Sequence, residues 1–256
     1  MATKQFLHTT IRGNGQPIVL IHGFLSSSHY FKPLVRRLEK THQVISIDLL
    51  GFGKSPKPRI SYTFEDHTDA LHRTLQQYAI STPFTLVGHS MGALIALRYA
   101  ATYPDSIAQL QLFNAPMFTD ASQMIEHHKS SGTHYRTLLY SRLRSGYWGA
   151  LKLVPHNATS RRPPINFADT VRMSRHAREG SYKNIIASGE FFSDLRKITV
   201  DTVVVVGKYD RVVYQENLRG RSLPSHVTIQ IVESGHHTLV KTIDEGERIL
   251  RKHLPA

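Results

Sequence analysis

Cysteine is missing from all 256 residues, and its absence excludes disulfides, thiolate metal sites and a cysteine nucleophile together. The redox compartment stays open, because a chain without thiols is viable in either state. Long apolar runs are missing as well. Runs such as Ile18-Val19-Leu20-Ile21 and Val203-Val204-Val205-Val206 are strand-sized, whereas a membrane-spanning helix needs roughly 18 consecutive apolar residues. Met1 to Phe6 contain no apolar stretch of signal-peptide length. These absences set the expectation of a cytoplasmic protein without a membrane span.

Acidic residues are scarce: 19 Asp and Glu face 32 Lys and Arg, for a formal charge of +13. Such a balance raises the question of a polyanionic partner. Residues 115–195 hold eleven basic and six acidic side chains, and the other 175 residues hold twenty-one and thirteen, with no run of five like charges. The basicity is spread rather than concentrated, which reads as a solvated basic surface and no specific nucleic-acid site.

What is present is an ordinary globular composition, 40% hydrophobic and 20% charged, in a chain long enough for one core with a small insertion. Strand-like runs alternate with segments of helical spacing. Strands are expected at Pro17 to Ile21, Val44 to Asp48, Phe84 to Val87, Ile107 to Phe113, Val203 to Val206 and Val227 to Val232. Helices are expected at His29 to Lys40, Phe64 to Tyr78, Met91 to Tyr103, Gln215 to Arg221 and Thr238 to His253. The alternation implies an α/β fold, a mostly parallel sheet with helices on both faces and ligands at the strand C-terminal ends. From about Ala115 to Leu195 it breaks down. Helix-like pieces at Thr137 to Leu143 and Asp169 to Glu179 flank Arg161-Arg162-Pro163-Pro164, and no buried-strand run occurs. Residues 1–114 and 196–256 therefore read as the core, and 115–195 as an inserted helical cap.

Gly88-His89-Ser90-Met91-Gly92 fits G-x-S-x-G. The pattern suits a nucleophile held on a sharp strand-to-helix turn, where glycines two residues to either side allow close backbone approach. Here it follows an expected strand and opens an expected helix. A serine nucleophile needs a base, and the base an orienting acid. Asp210 follows the Val203 to Val206 strand and His236 follows the last strand, in the order Ser, Asp, His. His237 reads as the start of the closing helix. Asp201 precedes its strand, which sets it at the opposite edge, and Asp194 is an outside alternative. Oxyanion donors are expected from the backbone N–H groups of Met91 and of Phe24, with Leu25 as fallback for the second.

Together His22-Gly23-Phe24, Asp48 to Ser55, Gly88 to Gly92, Gly207 to Asp210 and Gly235-His236 resemble the α/β-hydrolase superfamily, of the capped serine esterase and acyl-hydrolase type. The resemblance covers residues 1–114 and about 196–256. It implies carboxylic-ester cleavage through an acyl-enzyme, a small-molecule ester substrate, and no metal or other cofactor. In that family the counterpart of Asp48 and its glycines forms a structural turn. Carbon–carbon bond hydrolysis of a dienoate, thioester or amide cleavage, and a receptor-like protein of slow turnover remain open.

Other patterns point elsewhere and are set aside. Gly53-Lys54-Ser55 would complete a P-loop only with glycine at Asp48, where a carboxylate repels phosphate. His127, His128 and His134 lack a carboxylate at metal-binding spacing. Arg161-Arg162 could meet an anionic substrate. Trp148 could pack the cap or line an acyl pocket.

Overall fold

The structure is a computed structural model that describes residues 6–78, 80, 83–130 and 173–255. The expected helix Thr137 to Leu143, the Arg161-Arg162 break, His134 and Trp148 lie outside the described residues.

Seven strands form one sheet in the order β1-β3-β2-β4-β5-β6-β7. They are β1 (Thr9–Arg12), β2 (Pro17–Ile21), β3 (Gln43–Ile47), β4 (Phe84–His89), β5 (Ile107–Phe113), β6 (Thr202–Gly207) and β7 (Val227–Val232). Every pairing is parallel except β1 with β3, where Thr9 opposes Ile47 and Arg12 opposes Val44. Strands β2, β4 and β6 are buried along their whole length, which is why they read as continuous apolar runs rather than alternations. Their period of two still sorts the side chains between two cores. Val204 and Val206 join Val19, Ile21 and Leu86 on one face. Val203 and Val205 join Ile18, Leu20 and Val87 on the other.

The first core is covered by α2 (Phe64–Gln77) and α3 (Met91–Thr102). The second is covered by α1 (Lys32–Leu38), through Leu34 and Leu38, and by the C-terminal helix, through Ile249 and Leu250. Helix α2 starts where Thr63 and Asp66 form a reciprocal capping box, which satisfies two of its unpaired first-turn amides. Between β5 and β6 the described residues form α4 (Ala121–Ser130), α5 (Arg175–Ser181), a π turn at Tyr182–Ile186 and α6 (Phe191–Leu195). The closing elements are α7 (Thr238–Lys241) and α8 (Ile243–Lys252).

The expected elements differ from this in five places. β1 was not expected, because Thr-Thr-Ile-Arg is half exposed on an edge strand and carries no buried run. The helix at His29 to Lys40 is a 3₁₀ turn, Ser28–Phe31, followed by α1, since Pro33 fits only the first turn of a helix. Gln215 to Arg221 shortens to a 3₁₀ turn at Gln215–Leu218. The closing helix breaks at Thr242, whose φ of −119° and ψ of 54° are not helical. Of the helix expected over Asp169 to Glu179, residues 169–172 lie outside the described residues, and α5 begins at Arg175, where the Ser174 side chain accepts a hydrogen bond from the Ala177 N–H.

Candidate active site

Four adjacent parallel strands end at one edge, and each is followed by a polar residue of the site. Ser90 follows β4, Asn114 follows β5, Asp210 lies beyond β6 and His236 beyond β7. Ser90 has φ 55° and ψ −124°, a conformation non-glycine residues rarely adopt, at a cost of about 1–3 kcal/mol. Its N–H donates to the Phe113 carbonyl at 2.9 Å, and the buried helix α3 begins at the next residue. The flanking glycines are required sterically. A Cβ on Gly88 would lie 2.5 Å from the Ala93 Cα, and one on Gly92 would lie 2.5 Å from the Ile21 carbonyl oxygen.

The structure brings Ser90, His236 and Asp210 into one chain of hydrogen bonds. His236 Nε2 lies 3.0 Å from Ser90 Oγ, and His236 Nδ1 lies 2.8 Å from Asp210 Oδ2. Both distances are within the reach that proton transfer requires. Asp210 Oδ1 accepts the Val212 N–H at 2.8 Å, and Oδ2 also accepts the Asn114 amide at 2.9 Å. Burial alone would raise this carboxyl. The His236 charge, the His236 hydrogen bond and the Val212 and Asn114 donors outweigh it and hold the carboxyl below its usual range.

Asn114 was not foreseen from the sequence. It has φ 53°, and its amide also donates to the Gly235 carbonyl at 3.3 Å while its side-chain oxygen accepts from Thr238 Oγ1 at 3.0 Å. One side chain thus ties the Asp210 loop, the His236 loop and α7 together. The available signal was its place immediately after a strand at the shared edge. His89 is a variable position of the G-x-S-x-G motif and carries no signal of its own in the sequence. Its Nε2–H donates to the His236 carbonyl at 2.7 Å, and its ring stacks on Tyr30 at 4.6 Å. Burial, then the His236 charge, push His89 down to about 3, so it stands neutral beneath the site. His237 caps α7 and lies 3.4 Å from the Tyr30 hydroxyl; burial likewise lowers its pKa.

The loop after β2 runs against Ser90. A Cβ on Gly23 would lie 2.9 Å from Ser90 Cβ, which brings the backbone of Phe24 to the serine. His22 braces this loop: its Nδ1–H donates to the Gly23 carbonyl at 2.8 Å and its Nε2 accepts the Leu49 N–H at 3.0 Å. Leu25, the fallback donor, has φ 59°. Met91 opens α3, so its N–H is among the first amides, which have no partner within the helix. Asp48 has no contact with the triad. It accepts the Ser28 and Lys54 N–H groups at 2.7 and 2.8 Å, and closes the turn containing Gly51 and Gly53.

The other acids considered lie elsewhere. Asp201 sits at the start of β6, at the far edge. Asp194 is buried against Arg98 and Lys197, at 2.7 and 2.9 Å. His127 and His128 face the carbonyls of Arg211 and Val212 at 3.0 and 3.4 Å. Among the described residues no group of three His, Asp or Glu could hold a metal ion, and no helix is long and apolar enough to cross a membrane.

A narrow cleft, partly open to solvent, adjoins Ser90 and is lined by Phe24, Pro116, Phe118, His128, Tyr182, Ile186 and Val212. Its wall is apolar apart from Ser90, His128 and the Tyr182 hydroxyl. Burial pushes His128 down to about 4, so it faces the cleft uncharged at neutral pH.

The sequence matches the profile of the alpha/beta hydrolase fold over residues 16–241. It is 27% identical over 238 residues to Lipase 1 of Psychrobacter immobilis, covering 90% of this chain and 74% of that one. It is 39% identical over 115 residues to the cis-3-alkyl-4-alkyloxetan-2-one decarboxylase of Shewanella oneidensis, covering 44% of this chain but 36% of that protein. The chain thus spans only about a third of the length of that relative. An esterase from Exiguobacterium antarcticum has a TM-score of 0.72 at 24% identity, covering 96% of this chain and 94% of that one, a likeness of fold alone.

Proposed function

Because the chain belongs to the α/β-hydrolase-fold family, we propose that it is a serine hydrolase that cleaves carboxylic esters through an acyl-enzyme intermediate. The observation that carries this reading is the continuous chain from Ser90 Oγ through His236, at 3.0 Å, to Asp210, at 2.8 Å. Ser90 Oγ attacks the ester carbonyl as His236 Nε2 takes its proton. Asp210 holds the imidazole with Nδ1–H inward and stabilises the imidazolium as it forms. The Phe24 and Met91 N–H groups stabilise the oxyanion. The tetrahedral adduct expels the alkoxide, which leaves as an alcohol with the proton from His236. A water deprotonated by His236 then releases the acid and restores Ser90. The route requires no metal or organic cofactor.

In this reading residues 115–195 act as a cap over a small-molecule site. Phe118, His128, Tyr182 and Ile186 from that stretch line the cleft beside Ser90, and the apolar faces of Phe118, Ile186 and the Tyr182 ring suit an acyl group. The lipase among the relatives carries a name of the same class. The cytoplasmic location expected from composition belongs to the proposal, with cell fractionation as its check.

A fluorophosphonate probe will label the protein, and Ser90→Ala will abolish labelling and lower kcat by about 10⁶-fold. Labelling that persists in Ser90→Ala, or no labelling of the native protein, removes the assignment. A panel of aryl esters of rising acyl length, beside thioester, amide and dienoate substrates, separates ester cleavage from the other reactions open to the same triad.

A further inference from the structure

We propose that Arg178 forms an anion-binding subsite beside the Ser90 cleft, so that the ester cleaved here carries a carboxylate or phosphate group. This rests on the serine-esterase reading of Ser90 for the reaction, though not for the binding.

Arg178 is 7% exposed, and its buried Nε and Nη1 have no hydrogen-bond partner among the described residues. Among the described residues its one nearby carboxylate is Glu179, 3.9 Å from Nη2. The same Glu179 oxygen is taken by Arg175 Nε at 2.8 Å. A guanidinium cannot shed its proton to escape burial. A buried charge without a partner costs several kcal/mol, so such a group calls for an anion. This cation is therefore suited to a ligand that arrives from outside.

Helical geometry sets its place. Ala177 and Ser181 occupy one stripe of α5: a Cβ on Gly51 would meet Ala177, and Ser181 Oγ lies 3.2 Å from His67 Nε2. Arg178 and Tyr182 are four residues apart and share the neighbouring stripe. Tyr182 lines the cleft with Ser90 and packs 6.2 Å from the Phe24 ring. Arg178 thus stands one turn, about 6 Å of helix rise, beyond the cleft wall.

The test pairs binding with turnover. In thermal denaturation, glutarate and inorganic phosphate are the probes, with sodium chloride at matched ionic strength as control. A ligand that binds only the folded protein raises Tm. At least one of the two anions will raise the Tm of the native protein, and Arg178→Met will lose that response. Arg178→Lys will keep part of it. A response to glutarate alone identifies a carboxylate ligand, and one to phosphate alone a phosphate group. In turnover, the ratio of kcat/KM for mono-4-nitrophenyl glutarate over 4-nitrophenyl pentanoate will fall about ten- to a hundredfold in Arg178→Met, mainly through KM. Should Arg178→Met not fold, the native protein alone decides. No Tm response to either anion, together with no preference for the glutarate ester, overturns the subsite. An anion response with neither ester cleaved and no fluorophosphonate labelling leaves the subsite standing and removes the esterase reading.

Discussion

Two of the buried aspartates, Asp194 and Asp210, are satisfied in opposite ways. Asp194 meets two permanent cations, Arg98 at 2.7 Å and Lys197 at 2.9 Å. Arg98 in turn bonds Glu65 and Glu190 and lies over the Phe64 ring. Among the described residues Asp210 meets no permanent cation. Its partners are the Val212 amide, the Asn114 amide and the titratable imidazole of His236. The first carboxylate is fully compensated at rest and can only hold elements together. The second gains its full counter-charge only when His236 becomes a cation, the state a general base passes through. Burial alone therefore does not mark a working carboxylate; what distinguishes it is the kind of partner that faces it.

The largest effect that would break this comparison is on turnover. Asp210→Asn keeps the shape but presents an amide to Nδ1 and releases the imidazole from its orientation. The expected outcome is a fall in kcat of about 10⁴-fold with a near-native urea midpoint. If Asp194→Asn lowered kcat as much, the two sites would not be separable in this way.

The converse comes next, on stability. Arg98→Met leaves Asp194 buried with only the more exposed Lys197. Removing one partner of a buried pair costs about 3–5 kcal/mol, read as a lowered urea midpoint. The kcat of the folded fraction should stay at the native value, because Arg98 lies about two turns along α3 from Ser90, which precedes the helix.

Why Asp210 was legible in the sequence and the depth of its support was not follows from the same contrast. Asp210 and His236 sit directly after apolar strands, and a parallel sheet carries all such positions to one edge. Chain order then assigns roles. Asn114 occupies an equivalent position after β5, yet an amide has no titratable signature, and its importance lies in contacts across 96 and 124 residues of sequence. Arg98 and Asp194 are 96 residues apart, so their pairing exists only once α3 packs on α6. The edge strand β1 escaped for a simpler reason: half-exposed strands at a sheet border lack the apolar run that marks β2 or β6. The core was therefore readable from local pattern, and the cross-links between loops were not.

Asn114 offers a finer cut within the Asp210 side. Asn114→Ala removes a donor to the carboxylate and leaves the bond from His236 in place. Loss of a hydrogen bond to a charged group is worth about 1.5–3 kcal/mol, so kcat should fall about 10- to 100-fold, with KM changed much less. Asn114→Ser, which keeps a short donor, should recover part of the loss.

Acid should expose another difference. Burial holds His67 and His89 at about 3 in the folded protein. Between there and the unfolded value near 6.5 the unfolded chain binds more protons. Stability is therefore complete above about pH 6.5 and falls as pH drops. By pH 5 each buried histidine removes about 2 kcal/mol. His67 has no place in the triad chain, so His67→Gln should flatten the urea midpoint between pH 7 and 5 while leaving the pH dependence of kcat in place.

The smallest expected effect concerns His89, whose ring lies 5.0 Å from the His236 ring and whose hydrogen bond to the triad goes to main chain. Its Nε2–H fixes the His236 carbonyl, and its stacking on Tyr30 fixes its own ring. Freed of that bond, the His236 loop gains latitude against Ser90, whose own position is pinned by the Phe113 carbonyl and α3. A neutral hydrogen bond of about 1 kcal/mol translates to a five- to tenfold lower kcat in His89→Leu, with KM unchanged because the cleft wall is not altered. His89→Gln retains a donor and should lie closer to the native rate. If both variants lose stability equally and neither changes kcat, His89 merely packs the second core. If Leu slows turnover and Gln restores it at equal Tm, the imidazole positions the base, and the support beneath His236 extends to the residue next to the nucleophile.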